Sequence, residues 1–240
     1  MLEVLGGIAG LTTAVVAAGY QTMAPTGQWY GHTFTGLSRG TRKLALTYDD
    51  GPNDPHTQRL LEVLAKHSVR ATFFVIGRFA RQRPDIVREL VRAGHAVGNH
   101  TFSHPNLIFT SAERTRKELA ECQQALLEAT GESPRLFRPP FGGRRPGTLQ
   151  MVRAAGLQPV MWNVTGYDWS APPADAIVGK VSHQIGGGDV ILLHDGSHAG
   201  MGADRSQTVI ATDRIIAKYK AEGYEFVTIP EMMGEEAARF

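Results

Sequence analysis

Asp49 and Asp50 stand side by side at the end of an apolar run, Leu44-Ala45-Leu46-Thr47-Tyr48, and Gly51-Pro52 follows them. Further along, His100 and His104 are four residues apart in His100-Thr101-Phe102-Ser103-His104. One carboxylate and two imidazoles make a divalent-metal site that leaves positions open for water and substrate. Asp50, His100 and His104 are therefore the expected ligands. Neighbouring residues cannot both face one ion unless the chain turns sharply, and Gly51-Pro52 supplies a turn. Asp49 is then left to act as a general base beside the ion, the alternative being a cap on the following helix. In a chain with nine histidines, a His-x-x-x-His pair carries little weight alone. Its weight comes from the third ligand.

Two more segments carry candidate chemistry. In Arg138-Pro139-Pro140-Phe141-Gly142, proline fixes φ at two successive positions. Such a stiff loop can hold Arg138 against a carboxylate and aim backbone N–H groups at a site; the plainer reading is an ion pair on a rigid turn. His194 closes the run Ile191-Leu192-Leu193. It is expected to be a general acid, with Asp168 accepting from its other ring nitrogen and raising its pKa; the plainer reading is a hydrogen-bonded core histidine. Leu192 and Trp169 either wall a small apolar pocket or belong to the core.

The elements that must position these residues alternate. Short apolar runs at 44–48, 71–76, 95–98, 136–138, 159–164, 190–194 and 225–229 read as strands. Between them lie amphipathic helical patterns. One carries Leu60, Leu61 and Leu64, and a second opens at Pro84 and carries Ile86, Val87, Leu90 and Val91. A third is expected from Thr110, with Glu113 completing a capping box, to a left-handed cap at Gly131. Later helices are expected over 148–155, 174–184 and 207–222. This pattern predicts an α/β fold, a distorted (β/α) barrel of about seven parallel strands in a single domain, with an open doubly wound sheet as the competitor. No Gly-x-Gly-x-x-Gly follows the first strand, so dinucleotide binding has no support. Every candidate residue falls at or just beyond a strand's C-terminal end, the rim on which such barrels build active sites.

The 240 residues are 42% hydrophobic and 20% charged, the balance of a folded chain. Twenty-five basic residues against 23 acidic ones give a net charge of +2, too even to support nucleic-acid binding. The run Arg78, Arg81, Arg83, Arg88 and Arg92 reads as a solvated helix face. The single cysteine, Cys122, lies on an apolar stripe with Thr115, Leu119, Leu126 and Ala129 and is expected to be a buried thiol. Residues 1–22 read as an apolar leader, a signal sequence or membrane anchor, which places the protein secreted or anchored at the cell envelope. The alternative is a helix packed on the domain, because Glu3 stands in place of a basic start. Residues 23–42 read as a linker, 43–232 as the catalytic domain and 233–240 as a tail.

Taken in order, Thr47-Tyr48-Asp49-Asp50, His100-Thr-Phe-Ser-His104, Arg138-Pro-Pro-Phe141, Asp168-Trp169 and Leu192-Leu-His194 resemble the motifs of the polysaccharide deacetylases of carbohydrate esterase family 4, the NodB homology domain. The resemblance spans about Lys43 to Pro230. It implies a distorted barrel that binds a divalent cation, zinc in the first place, with cobalt, nickel or manganese as alternatives. It also implies an acetylated glycan as substrate, with N-acetyl groups removed from a peptidoglycan- or chitin-type chain. By position it makes Asp49 the base and Asp50, His100 and His104 the metal ligands. Arg138 orients the base, and His194 is the acid with Asp168 as its partner. Leu192 and Trp169 line the acetyl pocket, and the Phe141 N–H is an oxyanion donor. The family's fourth motif usually has an aspartate where Thr165 stands here, and its third motif often has tyrosine at Phe141. Rival expectations are a hydrolase of the same fold acting on O-acetyl esters, formamides or cyclic amides, an inactive glycan-binding module, and a structural metal protein.

Overall fold

The computed structural model describes residues 18–237. Strand β1 (Lys43–Gly51) is buried along almost its whole length. That is why it reads as a continuous apolar run and not as an alternating one. It lies between β2 (Thr72–Val75) and β7 (Asp189–His194). The sheet order is β5-β4-β3-β2-β1-β7-β6, with β8 (Glu225–Phe226) beside the start of β1, and all its pairings are parallel. Here β3 is Ala96–Asn99, β4 Leu136–Phe137, β5 Gln158–Pro159 and β6 Val164–Thr165.

The fifth expected strand is therefore two strands. Only its ends pair, β5 with β4 and β6 with β7, at opposite margins of the sheet. Residues 160–163 carry the chain from one margin to the other, so the sheet curls into a half-barrel of seven strands, counting β5 and β6 as one interrupted strand. The open doubly wound alternative is excluded.

The crossover connections are α1 (His56–Lys66), α2 (Gly77–Gln82), α3 (Pro84–Arg92), α4 (Ala112–Thr130), α5 (Thr148–Ala154), α6 (Ala174–Gln184) and α7 (Ser206–Ala221). Pro84 opens α3 and Gly131, at φ 82°, closes α4 as the sequence predicts. The α4 cap is Ser111 and not Thr110: its hydroxyl accepts from Arg114 N–H, while Thr110 donates to the Asn106 carbonyl. Cys122 is buried, and burial pushes its thiol up to about 12, the behaviour of an inert core thiol.

Strand periodicity sorts β1 between two cores. Leu44, Leu46 and Tyr48 pack toward the helices with Phe73, Ile191, Leu193 and Ile215. Ala45 points inward with Phe74, Val160 and Val190. Thr47 and Asp49 share its parity and so share that inner face.

Three expected boundaries move. Much of residues 23–42, read as a linker, packs on the domain. Phe34 is buried in the inner core, its N–H donates to the Pro159 carbonyl and its carbonyl accepts from Met161 N–H, while Leu37 N–H donates to the Gly188 carbonyl. Apolar anchors spaced through an aperiodic stretch left no helical or strand pattern to read. The last strand ends at Phe226, and α8 runs Ile229–Ala237, so the expected tail starts inside a helix. Its N-terminus is a capping box: Thr228 N–H donates to Glu231 Oε2 at 2.8 Å, and Glu231 N–H faces Thr228 Oγ1 at 3.5 Å. Most of the expected leader, residues 1–17, lies outside the described residues. Among the described residues no helix is long and apolar enough to cross a membrane.

Candidate active site

The C-terminal rim of the strands surrounds a cavity of about 460 Å³. Asp49, Asp50, His100, His104, Phe141, Trp169, Leu192 and His194 all line it; Arg138 and Asp168 stand behind the wall, where they hold residues that do. The sheet register makes the central pairing, with Asp49 on β1 opposite His194 on β7. One strand position earlier in parity, Thr47 lies opposite Leu192.

Alternation along β1 would send Asp50 to the helix side with Tyr48. Its backbone takes φ +74° instead, and the ladder with β2 shifts register between Asp49 and Gly51. The kink turns both carboxylates into one cavity. It sits at Asp50 itself, one residue before the Gly51-Pro52 turn expected to make it. His104 also has a positive φ, 61°, as does Thr101 between the two histidines. Backbone strain of this kind costs on the order of 1–3 kcal/mol per residue and collects at functional sites.

Asp50, His100 and His104 place one ligand atom each within 4.8 Å of one another, and all three are buried. Asp50 Oδ1 lies 3.1 Å from His104 Nε2 and 3.5 Å from His100 Nε2. His100 Nδ1 is 2.8 Å from the Arg138 carbonyl. That nitrogen is therefore the N–H, and the Nε2 lone pair faces Asp50. Among the described residues, buried Asp50 Oδ1 has no hydrogen-bond donor. An oxygen that is buried, charged and undonated, with the Nε2 atoms of two imidazoles beside it, is the donor set a divalent cation completes. Burial opposes ionisation of Asp50, but the two imidazoles outweigh it and hold the carboxyl well below the usual range. At His104 burial prevails and lowers the pKa; at His100 Asp49 and Asp50 outweigh burial and raise it.

Asp49 is fixed from behind. Arg138 Nη1 donates to Asp49 Oδ1 and to Thr47 Oγ1, each at 2.8 Å, and Nη2 donates to the Met161 carbonyl at 3.0 Å. Arg138 is fully buried, with its guanidinium 4.1 Å over the Phe74 ring. One Asp49 oxygen is thus occupied. The other, Oδ2, lies 3.7 Å from His100 Nε2, next to the metal ligands.

His194 is fixed in the same way. Its Nδ1 is 2.8 Å from Asp168 Oδ1, and Asp168 Oδ2 accepts from His194 N–H and from Thr208 Oγ1, each at 2.8 Å. Burial lowers the imidazole's pKa, but Asp168, with smaller help from Asp50 and Asp49, pushes it up to about 9. The ring is therefore protonated at neutral pH, with Nε2–H left for the cavity.

Phe141 has φ 58°, and its N–H donates to no other described residue. Its ring meets His104 edge-on at 4.6 Å. Trp169, half exposed, stands 5.7 Å from His194.

Three contributors escaped the sequence. His198 stacks on His104 at 4.7 Å; its spacing of four from His194 was the available signal. Thr208 and Arg205, at the start of α7, carry no local signal. Arg205 donates to the Gly196 carbonyl at 2.7 Å and to the Trp169 carbonyl at 3.3 Å, tying together the loops that follow His194 and Asp168.

Residues 37–160 match the family model for polysaccharide deacetylases. The chain is 35% identical over 203 residues to a peptidoglycan-N-acetylglucosamine deacetylase of Bacillus cereus, covering 85% of this chain and 72% of that protein. It is 39% identical over 198 residues to a chitooligosaccharide deacetylase of Sinorhizobium fredii, covering 80% and 92%. Among solved structures it resembles the Bc1960 peptidoglycan N-acetylglucosamine deacetylase in complex with an N-hydroxybenzamide, with a TM-score of 0.79, 35% identity, and 85% and 92% of the two chains covered.

Proposed function

From the premise that this chain belongs to the polysaccharide deacetylase family, we propose that it removes N-acetyl groups from an N-acetylglucosamine-containing glycan of peptidoglycan or chitin type. The observation that carries the proposal is the flanking of the Asp50–His100–His104 triad by two buried ion pairs on one rim, Arg138–Asp49 and Asp168–His194.

A divalent cation on the triad supplies Lewis-acid chemistry, polarising an acyl oxygen and lowering the pKa of water from about 15.7 toward roughly 7. Asp49, with Oδ1 held by Arg138, takes the proton of the attacking water on Oδ2. The Phe141 N–H donates to the acyl oxygen as it gains charge. Trp169 and Leu192 close the cavity around the acetyl methyl and exclude bulk water. His194, protonated and held through Nδ1 by Asp168, gives the Nε2 proton to the departing nitrogen. The products are acetate and a free amine.

The test is acetate release by the metal-loaded protein from chitooligosaccharides, peptidoglycan fragments and acetylated xylan. Release from the N-acetyl substrates, lost in Asp49→Asn at full metal occupancy, is the expected result. Release from xylan alone would move the assignment to O-acetyl esters. Glycan binding without release would make the protein a binding module.

A further inference from the structure

The two histidine ligands are held in different ways. His100 is fixed through its ring, with Nδ1 2.8 Å from the Arg138 carbonyl. His104 is not: its Nδ1 is buried and has no hydrogen-bond partner among the described residues. Ligating histidines almost always donate the second ring N–H to a carboxylate, a carbonyl or water, and that bond sets the angle of the ring. His104 needs another device.

Its backbone is well secured. His104 N–H donates to Thr101 Oγ1 at 3.1 Å, and the Thr101 hydroxyl donates to the His100 carbonyl at 2.6 Å. One residue earlier, Ser103 gives its N–H and its hydroxyl to the two carboxylate oxygens of Glu118 on α4, at 2.7 and 2.6 Å. These bonds hold the main chain at its positive φ but leave the imidazole free to rotate.

The ring is held by other rings. His198 stacks on it, with 4.7 Å between centroids and 14° between planes. Phe141 stands nearly perpendicular to both imidazoles, 4.6 Å from His104 and 5.1 Å from His198. Turning the His104 ring about Cβ–Cγ would drive its edge into the parallel face of His198, so the stack fixes the angle that no hydrogen bond fixes.

His198 is itself placed in advance. The loop that carries it is tied down by Arg205 at the Gly196 carbonyl, 2.7 Å, and by Asn53, which accepts from Gly202 N–H at 2.6 Å and donates to the Ala203 carbonyl at 2.9 Å. Between these ties, Arg78 Nη2 donates to the His198 carbonyl. Arg78 N–H also donates to the Phe102 carbonyl at 3.0 Å, so one residue of α2 joins the His198 loop to the segment that bears both histidine ligands. The nitrogens of His198 are not set as those of a ligand: Nδ1 lies 3.9 Å from Asp50 Oδ2, whereas the two ligand Nε2 atoms face Oδ1 at 3.1 and 3.5 Å.

We propose that His198 is a positioning residue for the cation site: by stacking on His104 it orients that imidazole, in place of the hydrogen bond that Nδ1 lacks. The inference rests on the triad as a metal site and not on which glycan is the substrate.

The test loads the full chain with Co2+, whose visible bands report ligand geometry. His198→Ala and His198→Asn remove the ring, and His198→Phe keeps a flat ring without nitrogen. Affinity is measured by chelator competition at pH 8, and the visible spectrum is recorded at saturation. The alanine and asparagine variants are expected to bind cobalt about tenfold more weakly, with altered bands, and the phenylalanine variant to stay within about threefold of the parent, with the parent's bands. Unchanged affinity and bands in the first two overturn the proposal. So does a phenylalanine variant as weak as alanine, which would assign the effect to a His198 nitrogen acting as a ligand. A parent chain that takes up no cobalt would overturn the metal site and the inference together. The expected cobalt pattern without acetate release would instead sink the proposed function and leave the positioning role standing.

Discussion

Replacing Asp168 by asparagine removes one charge from a fully buried position and changes little in shape. Asp168 accepts three hydrogen bonds at 2.8 Å, from His194 Nδ1, His194 N–H and Thr208 Oγ1. An asparagine oxygen can keep the two at the Oδ2 position. Its amide then faces His194 Nδ1 as a donor, so the ring must accept there and loses its cationic form. The His194 pKa should fall from about 9 to its ordinary 6.5 or lower, since burial is then unopposed by Asp168. That fall is worth about 3 kcal/mol of lost preference for the imidazolium. At pH 7.5 the protonated fraction drops from roughly 97% to about 9% or less. Loss of a working general acid should lower kcat by about 10²–10⁴-fold.

Two assays read this. The pH profile of acetate release should lose its alkaline limb near 9 in Asp168→Asn. Titration of the His194 ring by NMR, on metal-free protein so that no cation cancels the help from Asp49 and Asp50, should show the pKa directly. Stability has a matching sign. A histidine raised in the folded state stabilises fully below pH 6.5, and that contribution disappears as pH climbs through about 9. Denaturant midpoints of the wild type should therefore decline across that window, and those of Asp168→Asn should not. A variant that kept both the alkaline limb and its rate would refute the role of the pair.

Arg138→Met leaves buried Asp49 without its partner and should cost about 3–5 kcal/mol of stability, measured by urea unfolding, as well as activity. Asp50→Ala or His104→Ala should weaken metal binding on the order of 100-fold or more, read by chelator competition, with the far-ultraviolet circular dichroism unchanged. Metal affinity in the wild type should drop on acidification, starting above pH 6.5, because both imidazoles must be neutral to ligate and His100 is raised by Asp49 and Asp50; an affinity flat from pH 8 to 5 would contradict this. Gly98→Ala would bring a Cβ within 2.6 Å of the Phe74 ring that supports Arg138 and should cost about 1–3 kcal/mol in thermal unfolding.

Where local chemistry was enough, the sequence determined the outcome. Period-two alternation put Thr47 and Asp49 on one face of β1, and period-3.6 spacing put Leu119, Cys122 and Leu126 on the buried face of α4. Proline at 84 and glycine at 131 set helix ends through their own backbone preferences. The candidate site residues could be named one by one because each sits at the end of an element that the pattern located. Tertiary structure decided what spacing cannot encode. The kink at Asp50 runs against strand alternation and persists only because the surrounding rim holds it. Breaking the stretch from Pro159 to Val164 into two strands followed from curling the sheet. Thr208 reaches Asp168 across 40 residues, and Arg144 reaches Ala24 across 120. Such partners meet only because sheet register and barrel closure bring distant segments together, and no local preference of either residue records that meeting.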